Sequence, residues 1–172
     1  MKKIGFIGVY DKTDLILSIA EVLVKAGRRV LVIDATINQK CKYVVPAINP
    51  EHSFVSEFEG IDIAVGLSRL ENIKQYLGLD DTEQLNYDFI LIDADNYDGI
   101  LDFNLQDSDK LYYVTSFDAY SLKKGIEVLS ELEFPLSLTK IFYSKEMLKE
   151  EEEYFNYLAL GLKVEWNEDK IY

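Results

Sequence analysis

Three groups of polar residues stand where apolar runs stop. Ile4-Gly5-Phe6-Ile7 leads into Gly8-Val9-Tyr10-Asp11-Lys12-Thr13-Asp14, Val30-Leu31-Val32-Ile33 ends at Asp34, and Phe89-Ile90-Leu91-Ile92 ends at Asp93, with Asp95 two residues on. A glycine-bearing turn before Lys-Thr suits an anion. Glycine lets backbone N–H groups come close, a lysine neutralises phosphate charge, and a hydroxyl can bind Mg²⁺. The start of a helix adds its dipole. A carboxylate at the tip of a separate strand suits the Mg²⁺ or its water. The candidate phosphate-binding residues are therefore Gly8, Val9, Tyr10, Asp11, Lys12, Thr13 and Asp14. The candidate metal residues are Thr13, Asp34 and Asp93. Each has a plainer structural reading. Lys12 can be a first-turn surface residue, Thr13 or Asp11 a helix cap, and Asp34 and Asp93 simple strand ends. Asp34, Asp93 and Asp95 can also be read as oxygen ligands of a lone divalent cation.

The elements that would position these residues follow from periodicity. Strands are expected at Ile4–Val9, Arg28–Asp34, Ile61–Val65, Asp88–Asp93, Lys110–Thr115, Leu138–Tyr143 and Leu162–Trp166. Helices are expected at Leu15–Ala26, Leu67–Leu77, Ser121–Leu132 and Ser144–Leu160. In the first, Ile16, Ile19, Ala20, Leu23 and Val24 form one stripe, and Gly27 stands as its natural stop. Residues 35–59, with Pro46, Pro50 and several Asn, read mostly as loop with one short element. Strands apolar on both faces and separated by helices specify an α/β fold, a mainly parallel sheet with helices on both faces. In such sheets ligands bind beyond the carboxyl ends of the strands, where the three polar groups lie.

Composition narrows the function classes. The 172 residues fit one α/β domain, 1–172, and the chain stops just after its last expected strand, so C-terminal helices or a longer parent protein are open. Apolar residues make up 48%, which argues against disorder. The formal charge is −13, and such a surface repels nucleic-acid backbones and anionic lipid, so no direct nucleic-acid binding is expected. No apolar run reaches the roughly 20 residues of a membrane span, and no signal sequence is evident, so a reducing cytoplasmic setting is expected. A single cysteine, Cys41, excludes an internal disulfide, and neither it nor the single histidine, His52, sits in a catalytic or metal pattern. The charge is uneven. Residues 1–50 carry eight Lys/Arg against four Asp/Glu, whereas the remainder carries ten against 27. That asymmetry reads either as ordinary solvated surface or as an anion site near the N-terminal elements.

At these residues the sequence resembles the deviant-Walker-A P-loop ATPases of the ParA/MinD type, including TadZ/CpaE-like pilus-assembly relatives. The matching stretches are Ile4 to Leu15, Arg28 to Thr36 and Tyr87 to Asp93, with Tyr112 to Leu132 similar further on. The resemblance implies a P-loop NTPase-like fold, ATP or ADP with Mg²⁺ as ligand, ATP-linked homodimerisation and protein partners. It gives Asp34 a catalytic role if the chain hydrolyses ATP.

The departures are chemical. Ile7 stands at the family's signature lysine and Asp11 at the glycine before Lys12. Tyr143 stands near the adenine-contacting Asn, and Ala94-Asp95-Asn96 replaces the usual Pro-rich continuation. A carboxylate at about 4 Å from a phosphate charge is repelled by about 4 kcal/mol at an effective dielectric near 20. The expectation is an inherited fold with a damaged phosphate loop. Such a chain acts as a non-hydrolysing binding or localisation module of a partition, secretion, pilus or mobile-element system. The alternatives are an active atypical Mg-ATP-dependent ATPase switching between monomer and dimer, and an unrelated flavodoxin-like or receiver-like domain.

Overall fold

The computed structural model describes residues 1–45, 52–143 and 149–167. Pro46 and Pro50, expected in loop, and Ser144, expected to open the last helix, lie outside the described residues. Among these residues eight strands form one sheet: β1 (Lys2–Ile7), β2 (Val30–Asp34), β3 (Phe54–Phe58), β4 (Ile61–Val65), β5 (Phe89–Ala94), β6 (Lys110–Ser116), β7 (Leu136–Tyr143) and β8 (Val164–Trp166). Their order is β3-β4-β2-β5-β1-β6-β7-β8. All neighbours are parallel except β3 and β4. The helices are α1 (Thr13–Lys25), α2 (Leu70–Tyr76), α3 (Tyr97–Asp102), α4 (Ala119–Ser130) and α5 (Lys149–Leu158). The expected mainly parallel α/β sheet is the architecture found.

Strand alternation divides the core between two faces. Ile16 and Ala20 of α1 pack with Phe6, Val30, Val32 and Leu91 on one face. Ile73 of α2, Ile100 of α3, Leu122 of α4 and Phe155 of α5 pack with Leu31, Ile33, Ile90 and Ile92 on the other. Because side chains alternate with a period of two, Asp34 follows Val30 and Val32, and Asp93 follows Leu91, onto the α1 face. Ile7 goes to the opposite core and is fully buried there. Asp34 and Asp93 are direct register partners. β5 lies between β1 and β2, so the β1–α1–β2 crossover spans it and brings the start of α1 over the Asp93 end of the sheet.

Several boundaries differ from expectation. β1 ends at Ile7, two residues early, because Gly8 takes φ +137° and begins the turn. Among its described residues the stretch 35–59 holds two elements, a 3-10 turn at Lys40–Tyr43 and β3. β3 is half-polar because it is an edge strand, joined to β4 by Glu59-Gly60, both at positive φ, as a tight hairpin requires. The short α3 was also not expected. It is fixed by Asn96, whose side-chain oxygen accepts from the Gly99 amide at 2.8 Å. Among the described residues no helix is long and apolar enough to cross a membrane.

Gly8 is the backbone position on which the turn rests. A Cβ there would stand 2.1 Å from the Val114 carbonyl oxygen in the adjacent strand. Gly78 also has positive φ, +72°, but open space around it. Gly8→Ala is therefore expected to cost more than the roughly 1–3 kcal/mol of backbone strain alone. Gly78→Ala should cost only about 1 kcal/mol. Urea unfolding of the two variants beside the parent chain checks the difference.

Candidate functional site

The start of α1 meets the ends of β1, β2 and β5 around a small cleft. It is lined by Val9, Tyr10, Asp11, Lys12, Thr13, Thr36, Asn38, Lys40, Asp93 and Asp95, and holds about 310 Å³ counting the solvent at its mouth. Seven of the sequence-derived candidates, Val9, Tyr10, Asp11, Lys12, Thr13, Asp93 and Asp95, therefore come together. Gly8 shapes the turn behind the cleft, with its amide donating to the Ala94 carbonyl at 3.1 Å. Asp14 is exposed in the first turn of α1, and Asp34 lies beside the cleft rather than in its wall.

Lys12 is the pivot. It precedes the first helical residue and is only 2% exposed. Its ammonium is 2.9 Å from Asp93 Oδ1, donates to the Tyr10 carbonyl at 3.3 Å and makes a close hydrogen bond to the Gly8 carbonyl. The ammonium thus has two loop carbonyls as acceptors and the Asp93 carboxylate as its counter-charge. Asp93 Oδ1 has this charge contact but no well-aligned hydrogen bond. Burial pushes the Asp93 carboxyl up to about 6; Lys12 opposes that shift, and Asp34 and Asp95 reinforce it.

Asp11 engages the helix end. Its Oδ1 accepts from the Thr13 amide at 3.1 Å, and its Oδ2 pairs with the Lys40 ammonium at 2.7 Å. Partial burial raises its pKa. Lys40 and the amide and side chain of Thr13 outweigh that and hold it below the usual carboxylate value. Asp34 organises the next segment. It accepts from the Thr36 amide at 3.0 Å, the Thr36 hydroxyl at 2.5 Å and the Cys41 amide at 2.9 Å. Asp95 accepts from the Ile37 amide at 3.1 Å and from Asn96 Nδ2 at 2.8 Å. Both carboxylates thereby pin residues 36–41 against the sheet. Among the described residues no three Asp, Glu, His or Cys side chains converge as a metal-holding group, so the lone-cation reading of Asp34, Asp93 and Asp95 finds no such cluster.

Tyr10 leaves the turn to meet Tyr143 at the end of β7, with ring centroids 4.9 Å apart. Thr36, Asn38 and Lys40 are cleft residues not singled out from the sequence. The only sequence signal for Lys40 was the basic excess of the first 50 residues.

No family model matches the sequence, and no curated protein sequence matches it. Solved structures do match the fold. The MinC:MinD cell division protein complex of Aquifex aeolicus aligns with TM-score 0.57 and 18% identity, over 96% of this chain and 79% of that one. A ParA family ATPase from Chlorobium tepidum aligns with TM-score 0.58 and 16% identity, over 96% and 82%. A plasmid partition protein from Borrelia burgdorferi aligns with TM-score 0.53 and 16% identity, over 99% and 93%. At these identities the likeness establishes the fold.

The buried pair generates a stability prediction. Lys12→Met leaves Asp93 buried without its counter-ion and should cost about 3–5 kcal/mol at pH 8. A carboxyl whose folded pKa lies above its unfolded value binds its proton more tightly when folded. Its contribution to stability is therefore fullest below about pH 4 and falls as pH rises through 6. The Lys12→Met deficit should accordingly shrink between pH 8 and pH 5. Adding Asp93→Asn to Lys12→Met should recover much of the loss at pH 8, as read by chemical denaturation at both pH values.

Proposed function

We propose that this chain, which has the fold of the MinD and ParA ATPases, acts as a non-hydrolysing binding or localisation module. The observation carrying this reading is the internal engagement of Lys12. In a phosphate loop the lysine must present its charge to the β- and γ-phosphates. Here that ammonium is neutralised by Asp93 and hydrogen-bonded to the Gly8 and Tyr10 carbonyls. The other groups that would hold Mg-ATP fit it poorly. The Thr13 amide already has the Asp11 carboxylate, which would face the phosphates with like charge. Ile7 is sealed in the core on the far face, so no cation stands at the signature position to reach a partner's nucleotide. The Tyr10–Tyr143 ring contact closes one flank of the cleft with aromatic surface instead of an amide.

The module reading calls for protein partners, with a homodimer included and direct nucleic-acid contact not expected. One neighbour in fold is a MinD held in a complex with MinC. This chain exposes Ile37 and Tyr43 on the segment beside the cleft, at 75% and 79%. It also exposes Tyr157 and Leu160 at the end of α5. Aromatic residues of this kind are enriched in interfaces. A cytoplasmic partition, secretion, pilus or mobile-element system is the setting this reading favours. The second reading is an atypical Mg-ATP-dependent ATPase that switches between monomer and dimer. It is favoured by one observation: Lys12, Thr13 and Asp93 still share one cleft at the strand ends.

Titration calorimetry with Mg-ATP, paired with a phosphate-release assay and light scattering, separates the two. The module reading expects no measurable heat, no released phosphate and an unchanged molecular mass. A submicromolar Kd with turnover or ATP-linked dimerisation would establish the ATPase instead.

A further inference from the structure

The same cleft contains an anion of the protein's own. We infer that the Asp11 carboxylate, clamped by Lys40, occupies the place of a phosphate at the start of α1 and holds the loop shut. The inference rests on the non-hydrolysing reading above and adds to the engagement of Lys12 a second, removable obstacle.

Asp11 has the bonding of a bound anion. One oxygen accepts from the Thr13 amide at the positive end of a 13-residue helix, and the other takes the Lys40 ammonium at 2.7 Å. An amide at a helix start and a lysine cation are the two kinds of donor that a phosphate oxygen would use. Asp11 is tethered two residues from the amide it occupies. A free anion competes with a ligand whose effective concentration is set by that short tether. Lys40 comes from the segment that Asp34 and Asp95 pin to the sheet, so the clamp is delivered by a braced element.

The rest of the cleft retains features suited to a metal-bound phosphate. Asp93 and Lys12 form a buried ion pair in its wall, with the ammonium 2.9 Å from Asp93 Oδ1. Thr13 is in the same wall. Removal of the Asp11 carboxylate would leave the Thr13 amide and the Lys40 ammonium without an acceptor, side by side at the mouth. The Asp11–Lys40 pair is half exposed on both sides, so its direct contribution to stability is small. Substitution at position 11 should therefore leave the fold intact.

The test uses magnesium pyrophosphate as the probe, with the full chain and two variants. Asp11→Gly removes the carboxylate and the Cβ. Asp11→Asn removes the charge but keeps a capping oxygen. The expected result is no measurable binding by the parent chain, clear binding by Asp11→Gly with a gain of about tenfold or more, and a smaller gain for Asp11→Asn. Hydrogen exchange of residues 36–43 should also quicken in both variants without ligand, because Lys40 has lost its anchor. If both variants are folded by circular dichroism and neither gains affinity, the internal-anion inference is overturned and the non-hydrolysing reading stands. Tight binding and turnover of Mg-ATP by the parent chain would instead overturn that reading.

Discussion

A lysine ammonium closed off from water must have its charge met locally, and much of this cleft is arranged around that requirement. Lys12 is buried at the junction of β1, α1 and β5, and its neutralising partner is Asp93 at the end of β5. Breaking such a pair from one side typically costs about 3–5 kcal/mol, a large share of the roughly 5–15 kcal/mol by which a domain is stable. The pair is therefore a structural tie whatever else it does. It fixes the turn above β1 through the Gly8 and Tyr10 carbonyls. Burial, reinforced by two further carboxylates nearby, keeps the Asp93 pKa high against the opposing charge of Lys12.

Around that tie the polar groups are satisfied by one another. Asp11 pairs with the helix start and with Lys40, Asp34 with Thr36 and the Cys41 amide, and Asp95 with Ile37 and Asn96. On the proposed reading the arrangement is a phosphate-loop geometry turned inward. The sheet still brings a Lys-Thr turn to the tip of a distant aspartate, as the fold requires, and the charges close on each other. The exposed Ile37 and Tyr43 lie on the segment that the same network braces, the surface that the proposed module would present to a partner.

Much of this was legible in the sequence, for physical reasons. Strands buried on both faces leave unbroken apolar runs, so β1, β2, β5 and β6 were visible to within two or three residues. The tips of those runs carried Asp34, Asp93 and the Lys12-Thr13 turn, and Ile7 and Asp11 stood out as departures from the pattern the sequence resembles. What was hidden has no period. β3 is a half-solvated edge strand, α3 depends on a single Asn cap, and Lys40 reaches Asp11 from 29 positions further along the chain. The sequence showed Lys12 without showing where its charge goes. That depends on the strand register, which sets Asp93 on the α1 face beside it.

The most direct measurement is nuclear magnetic resonance of the Lys12 side-chain nitrogen, observed with and without saturating Mg-ATP. The account predicts a slowly exchanging ammonium signal that tracks the titration of the Asp93 carboxyl near pH 6 and does not move when nucleotide is added. A Lys12 signal that exchanges rapidly with water, or that shifts on addition of Mg-ATP, would contradict it.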